Sequence, residues 1–322
     1  MKTAVVIGAS GHVGSYIVPQ MVRDGYKVVA VSRGLAVPYT KDQIEWKDVE
    51  TVVADRTAMM QAGAFGRLVA SFKPDAVCDT IAYELHQTQD LSDALAETDV
   101  HLIQIGTIWV YKDKYEVPVT ENHPRTSTCS YGTKKTLIER YLMDLAGQNR
   151  IRATVIQPGH VCGRGWTAIN PQANRDLQVY KNILTGREIL LPDEGQATLH
   201  HVHSRDLSGL VSACLKQPEI SNKQTFHSTT ARACTLMGLA EFLFQYFGHT
   251  PNIRYMPWNE LKPLMTAENA EDTWDHISRS PVCSMEKAEK LLGFIPQYNS
   301  METVLDSLDW QIQQGMFHFK AN

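Results

Sequence analysis

Seven residues constrain this chain more than any others: Gly8-Ala9-Ser10-Gly11-His12-Val13-Gly14. The apolar run Thr3-Ala4-Val5-Val6-Ile7 leads into them. Apolar residues at helical spacing follow (Val13, Tyr16, Ile17, Met21), stopped by Gly25. Such a run suits a strand buried on both faces, and the spacing after it suits a helix. Glycine is needed where a tight strand-to-helix turn demands positive φ and where a pyrophosphate must approach the backbone. The helix start then offers free N–H groups and a positive dipole end. In this strand–turn–helix context the spacing GxxGxxG predicts a dinucleotide site built on Gly8, Gly11 and Gly14, with Ser10 and His12 able to add contacts.

Strands and helices then alternate. Residues 27–31, 52–54, 76–79, 101–105 and 152–156 read as strands, and residues 57–72, 86–97 and 131–146 as helices. That alternation predicts βαβ units and a Rossmann-type, doubly wound parallel sheet covered on both faces, an α/β fold. After Pro158 the regularity breaks. Residues 163–176 read as a Gly-, Pro- and Asn-rich loop, and residues 177–186, 236–247, 284–292 and 301–314 as helices. The expected division is a cofactor domain over 1–162, completed by about 204–230, and a mainly helical substrate region over 163–203 and 231–322. With no obvious linker, the two should pack tightly together.

Composition narrows the class. The chain has 322 residues, enough for one large domain or two moderate ones. Lys plus Arg is 31 and Asp plus Glu 35, a net charge of −4, without the basic footprint of a dedicated nucleic-acid binder. Hydrophobic residues at 43 % are ordinary globular usage, and no run approaches a membrane span. Cys78, Cys129, Cys162, Cys214, Cys234 and Cys283 are too widely spaced for a CxxC site and read as reduced, mostly buried thiols. A cytoplasmic protein with a small-molecule ligand is expected, with no nucleic-acid or membrane partner.

Two further features carry chemistry. The second strand ends in Val31-Ser32-Arg33-Gly34, with no carboxylate to hold a ribose 2′-hydroxyl and with a guanidinium able to pair with a 2′-phosphate. NADP(H) is therefore favoured, with NAD(H) possible. Tyr131-Gly132-Thr133-Lys134-Lys135 places Tyr131 and Lys135 on one helix face. A nearby ammonium and a positive nicotinamide ring should lower the phenol pKa, leaving Tyr131 able to exchange protons at neutral pH. Thr107, just past the fifth strand, can offer a hydroxyl to the reacting oxygen, because ligands of such sheets bind at the carboxyl ends of the strands.

At this point the chain resembles the extended short-chain dehydrogenase/reductase family, the NAD(P)-dependent epimerase/dehydratase group. GASGHVG matches the family's glycine motif, Asp55 in VVADRTA its adenine-contacting Asp, and Thr107 the Ser/Thr of SSxxVYG. YGTKK matches YxxxK, and Gln157 to Gly163 is similar to RPxxVYG. His203 to Leu207 is similar to HVDDL with Asp206 matched, and Lys287 to Pro296 to KARxxLGWxP. The resemblance implies catalysis by Tyr131, Lys135 and Thr107, Lys135 holding the nicotinamide ribose. It implies cofactor contacts from Gly8, Ser10, Gly11, His12, Val13, Gly14, Ser32, Arg33, Asp55, Arg56, Thr80, Ile81, Ala82, Lys135, Pro158 and Val161. Tyr83, Trp109, His160 and Trp166 are the substrate candidates, and a homodimer is a possible assembly.

Departures from the family narrow the reaction. Sugar 4,6-dehydratases carry Asp-Glu after the Thr; Ile108-Trp109 stand here and cannot transfer protons, which disfavours dehydration. No Arg or Lys lies within Gln196 to His201, where nucleotide-sugar enzymes commonly hold a diphosphate. His200, His201 and His203 lack acidic or thiol partners at matching spacing, so no metal is expected. What remains is an epimerase or reductase acting on a secondary alcohol or ketone, with a sugar or sugar derivative among the candidate substrates. The alternative is a non-catalytic NAD(P)-sensing or RNA-binding protein on the same fold.

Overall fold

The structure is a computed structural model that describes residues 1–317. The first half builds strictly in order: β1 (Thr3–Ile7), α1 (His12–Arg23), β2 (Lys27–Ser32), β3 (Glu50–Val53), α2 (Arg56–Gln61), α3 (Phe65–Ser71), β4 (Ala76–Asp79), α4 (Leu85–Leu95), β5 (His101–Ile105), α5 (Ser130–Gly147) and β6 (Arg152–Pro158). The rest runs β7 (His160–Cys162), α6 (Leu177–Leu184), β8 (Ile189–Pro192), β9 (Thr198–Leu199), β10 (His201–His203), α7 (Ser204–Lys216), α8 (Pro218–Ser221), β11 (Gln224–Ser228), β12 (Cys234–Thr235), α9 (Leu236–Tyr246), β13 (Ile253–Met256), α10 (Trp258–Leu261), α11 (Ala267–Ile277), α12 (Glu286–Leu292) and α13 (Ser300–Gln313).

Seven strands form one parallel sheet in the order β11-β6-β5-β4-β1-β2-β3. Order reverses beside β1, between β2 and β4, and a doubly wound sheet opens its ligand crevice at such a point. Alternate residues of β1 feed the two faces. Ala4 and Val6 join Ile17, Val18 and Met21 of α1, while Val5 and Ile7 join Phe65, Val69 and Leu91. A third core holds α6, α9 and α13 together through residues such as Tyr180, Phe244 and Leu308. The parallel sheet with helices on both faces and a mainly helical C-terminal region is the fold class expected from the sequence.

The expected helix over 57–72 is instead two, because Gly63 takes φ +56° between α2 and α3. The helix expected at 284–292 begins at Glu286. Both α10 and α11, with the small parallel pairs β7–β10 and β8–β13, lie where the sequence showed no regular element. Of the substrate region expected over 231–322, residues 318–322 lie outside the described part. Among the described residues all six cysteines are free, four of them buried, and no helix is long and apolar enough to cross a membrane.

Candidate functional site

The glycine turn is shaped by contact. Gly8 sits at φ +82°, and a Cβ there would lie 2.3 Å from Thr80 Oγ1 and 2.7 Å from Ile81 Cγ2. A Cβ on Gly14 would lie 2.2 Å from the Gly8 carbonyl oxygen, so α1 can start this close to β1 only without a side chain. Gly11 precedes α1 with no side-chain cap, which leaves the first helical amides without an intrahelical partner. The turn borders a cavity of about 480 Å³ lined by Gly8, Ser10, Gly11 and His12 on one wall, Ser32, Arg33 and Asp55 on another, and Ile81, Tyr83 and Trp166. A cradle that side chains would fill, ending at uncapped amides, fits the diphosphate of a dinucleotide.

Several expected cofactor residues hold other positions. Arg56 borders the cavity, but its guanidinium is taken: Nη1 pairs with Asp79 at 2.8 Å and Nη2 donates to the Gln87 carbonyl at 2.7 Å. It is a buried structural ion pair rather than a phosphate hand. Val13, Gly14, Thr80, Ala82, Pro158 and Val161 do not line the cavity. Thr80 Oγ1 donates to the Ile7 carbonyl at 2.9 Å, and Ala82 gives its carbonyl to Lys135. Asp55 caps α2 by accepting from Ala58 N at 3.0 Å. His12 does more than line the turn. Its Nε2 donates to the Arg164 carbonyl, its Nδ1 accepts from Ser204 Oγ, and its ring stacks on Trp166 at 5.4 Å. Burial pushes its pKa down to about 3, so the imidazole is neutral at physiological pH.

The three expected catalytic side chains converge at the carboxyl end of β5. Thr107 accepts from Trp109 N at 3.2 Å and starts the short turn Ile108–Val110. Tyr131 and Lys135 stand one turn apart at the start of α5. Lys135 is buried; its Nζ donates to the Ala82 and Ile105 carbonyls, each at 2.8 Å, and lies 5.8 Å from the Tyr131 ring centre. Burial pushes Lys135 down to about 8, against the pull of Asp79. The expected lowering of the Tyr131 phenol is not what the chain alone produces. Although 38 % of the residue stays open, desolvation pushes the phenol up to about 12, with a hydrogen bond from Thr107 opposing.

The substrate candidates separate into two places. Trp109 meets Tyr131 edge-on at 6.1 Å, and Tyr83 lies 6.4 Å from Tyr131 while also lining the cofactor cavity. Trp166 instead belongs to the glycine turn through its stack on His12. His160 is buried behind Trp109, its ring 4.9 Å from His276, which meets Trp109 edge-on at 5.3 Å. The Arg279 guanidinium lies over Trp109 at 4.3 Å. His276 and Arg279 escaped the sequence reading because they come from α11 and its end, an element that reading did not place. Trp258 and Trp274 stack on each other at 5.8 Å. Glu84 caps α4 and pairs with Lys134.

His200 and His203 hold structural hydrogen bonds. His203 starts α7, accepting from Arg205 N at 3.0 Å, donating to Asp306 at 3.0 Å and stacking on Tyr298. His200 accepts from Cys283 N and donates to the Thr230 carbonyl. Among the described residues no group of three or more His, Cys, Asp or Glu side chains is arranged to hold a metal ion.

The chain is similar to several known proteins. The chain is 23 % identical over 329 residues to a UDP-glucose 4-epimerase of Corynebacterium glutamicum, covering 94 % of this chain and 93 % of that one. It is 25 % identical over 211 residues to 2'-dehydrokanamycin reductase of Streptomyces kanamyceticus, covering 66 % and 57 %. The solved UDP-glucose-4-epimerase of Stenotrophomonas maltophila, with bound NAD and formylated UDP-arabinopyranose, superposes with a TM-score of 0.76 at 16 % identity, covering 98 % and 99 %. The NAD dependent epimerase/dehydratase family profile matches residues 4–227, from the first strand to the last strand of the large sheet. On that match the chain belongs to the NAD dependent epimerase/dehydratase family.

Proposed function

We propose that the protein is an NADP(H)-linked epimerase or reductase acting at a secondary alcohol or ketone of a sugar or sugar derivative. The convergence of Tyr131, Thr107 and Lys135 beside the dinucleotide cavity carries this reading. The nicotinamide, when bound, supplies the hydride acceptor or donor. Tyr131 exchanges a proton with the substrate oxygen, and the Thr107 hydroxyl orients that oxygen. Lys135, tied to the carbonyls at the ends of two cofactor-side loops, positions the ribose and brings positive charge near the phenol once the site fills. Arg33, at the cavity wall where a carboxylate would select NAD, supports the choice of NADP.

Residues 1–162, completed by 204–230, then serve the cofactor, and 163–203 with the region from 231 onward the substrate. The relatives' substrates make UDP-glucose and UDP-galactose the first compounds to try. Conversion without added reductant indicates an epimerase, and stoichiometric NADPH consumption with a keto-sugar a reductase. Tyr131→Phe should lower kcat by roughly 10²–10⁴. Unchanged turnover in that variant would overturn the mechanism.

A further inference from the structure

A buried polar pair, one ring of which meets Trp109, has no partner for its reactive edges. His160 and His276 are 8 % and 1 % exposed, with ring centres 4.9 Å apart. The Nε2 atom of each is buried and lacks a hydrogen-bond partner. Their tautomers follow from their other nitrogens. His160 Nδ1 accepts from the His200 backbone N–H at 3.2 Å, so a neutral His160 carries its proton on Nε2. His276 Nδ1 lies 2.6 Å from the Asp272 carbonyl, which can only accept, so His276 Nε2 keeps a lone pair. Burial lowers both pKa values, which keeps both rings neutral. The pair therefore presents one unused donor and one unused acceptor. The Nε2 proton of His160 also rules out a metal ion bridging these two atoms, since a ligating imidazole needs its lone pair there.

Leaving two such groups unsatisfied in a buried place is unfavourable, so something should meet them. A hydroxyl is the simplest match, because one oxygen accepts one hydrogen bond and donates another. An alkyl group can do neither, and a ketone can only accept. The surroundings point toward the reaction centre: His276 meets Trp109 edge-on, Trp109 meets Tyr131, and Arg279 over Trp109 contributes a further buried, unpartnered donor at Nε. We propose that His160 and His276 form a donor–acceptor pair that holds one hydroxyl of the substrate beside Trp109, selecting polyhydroxylated substrates. This rests on reading the Tyr131 cleft as the catalytic one. It adds His276, from an element outside the profile match, as a specificity-determining residue.

Histidine ¹⁵N NMR tests it without turnover. At pH 7 His160 should appear as the Nε2–H tautomer and His276 as the Nδ1–H tautomer, both neutral. Saturating UDP-glucose or free D-glucose should shift both Nε2 resonances. His276→Phe should abolish the His160 response and weaken sugar binding at least tenfold with NADP affinity retained. His276→Gln, which keeps an acceptor, should recover part of both losses and guards against a misfolded Phe variant. A charged ring, the opposite tautomers, or resonances unmoved by both sugars would overturn the proposal, the last leaving the pair as packing only. Failure of the catalytic reading would appear separately, as turnover that survives Tyr131→Phe.

Discussion

At the residue scale, the site is a set of groups held away from their ordinary behaviour. Lys135 illustrates the sign of the effect. Its folded pKa is depressed from 10.5 to about 8, so the native state binds fewer protons than the unfolded chain between those values. The burial penalty is present in full below about pH 8 and fades as pH rises toward 10.5. Lys135→Met should therefore gain most over the wild type in urea midpoint at pH 7, and that gain should shrink by pH 10. Arg33 makes a different point. It stands at the cavity wall, and its value depends on the ligand. Arg33→Ala should raise the Kd of NADP at least tenfold and that of NAD less than threefold, read by fluorescence titration. Tighter wild-type binding of NAD than NADP would sink the assignment. Both residues were legible from motif and spacing. The upward shift of Tyr131 was not, since desolvation depends on how the folded chain packs around the phenol.

At the scale of elements, two glycines with the same letter in the sequence have different reasons to be glycine. Gly14 lies inside α1, where a Cβ would strike the Gly8 carbonyl oxygen and the Ala9 backbone. Gly25, after α1, has φ +86° and nothing within 4 Å of a Cβ. Gly14→Ala should cost about 3 kcal/mol and abolish dinucleotide binding, because backbone cannot yield as a flexible side chain does. Gly25→Ala should cost about 1 kcal/mol from left-handed strain alone and leave binding intact. Chemical denaturation with a cofactor titration on each variant separates the two. Periodicity revealed α1, α5 and α9 because their buried faces repeat at helical spacing. It missed the break between α2 and α3, where one glycine conformation decides. It also missed α11, a largely polar helix whose few buried positions, Ala270, Thr273 and His276, form a pattern only against their partners.

At the scale of the whole molecule, the two regions are joined through the cofactor turn itself. His12 bonds to Arg164 and Ser204 and stacks on Trp166, Tyr16 Oη donates to the Arg164 carbonyl, and Asp306 of α13 takes hydrogen bonds from Arg164 N and His203. Occupying the dinucleotide cavity should therefore stabilise the C-terminal region as well as the sheet. NADP at a hundred times its Kd should add about 2.7 kcal/mol. That is an upward shift of roughly 5 °C in a single thermal transition. Two transitions, only one of them moved by NADP, would show that the regions are not coupled.

The sequence by itself determined the cofactor turn, the alternating parallel sheet and the Tyr131–Lys135–Thr107 constellation, because each follows from local spacing: a glycine turn between strand and helix, period-bearing apolar faces, and residues one helical turn apart. Only the tertiary structure decided that Arg56 is held by Asp79, that Trp166 belongs to the glycine turn rather than to Trp109, and that His276 and Arg279 reach Trp109 from more than a hundred residues downstream. The physical reason is common to all three. What a buried polar or aromatic side chain does is set by the partners around it, and those partners come from elements that no local pattern brings together.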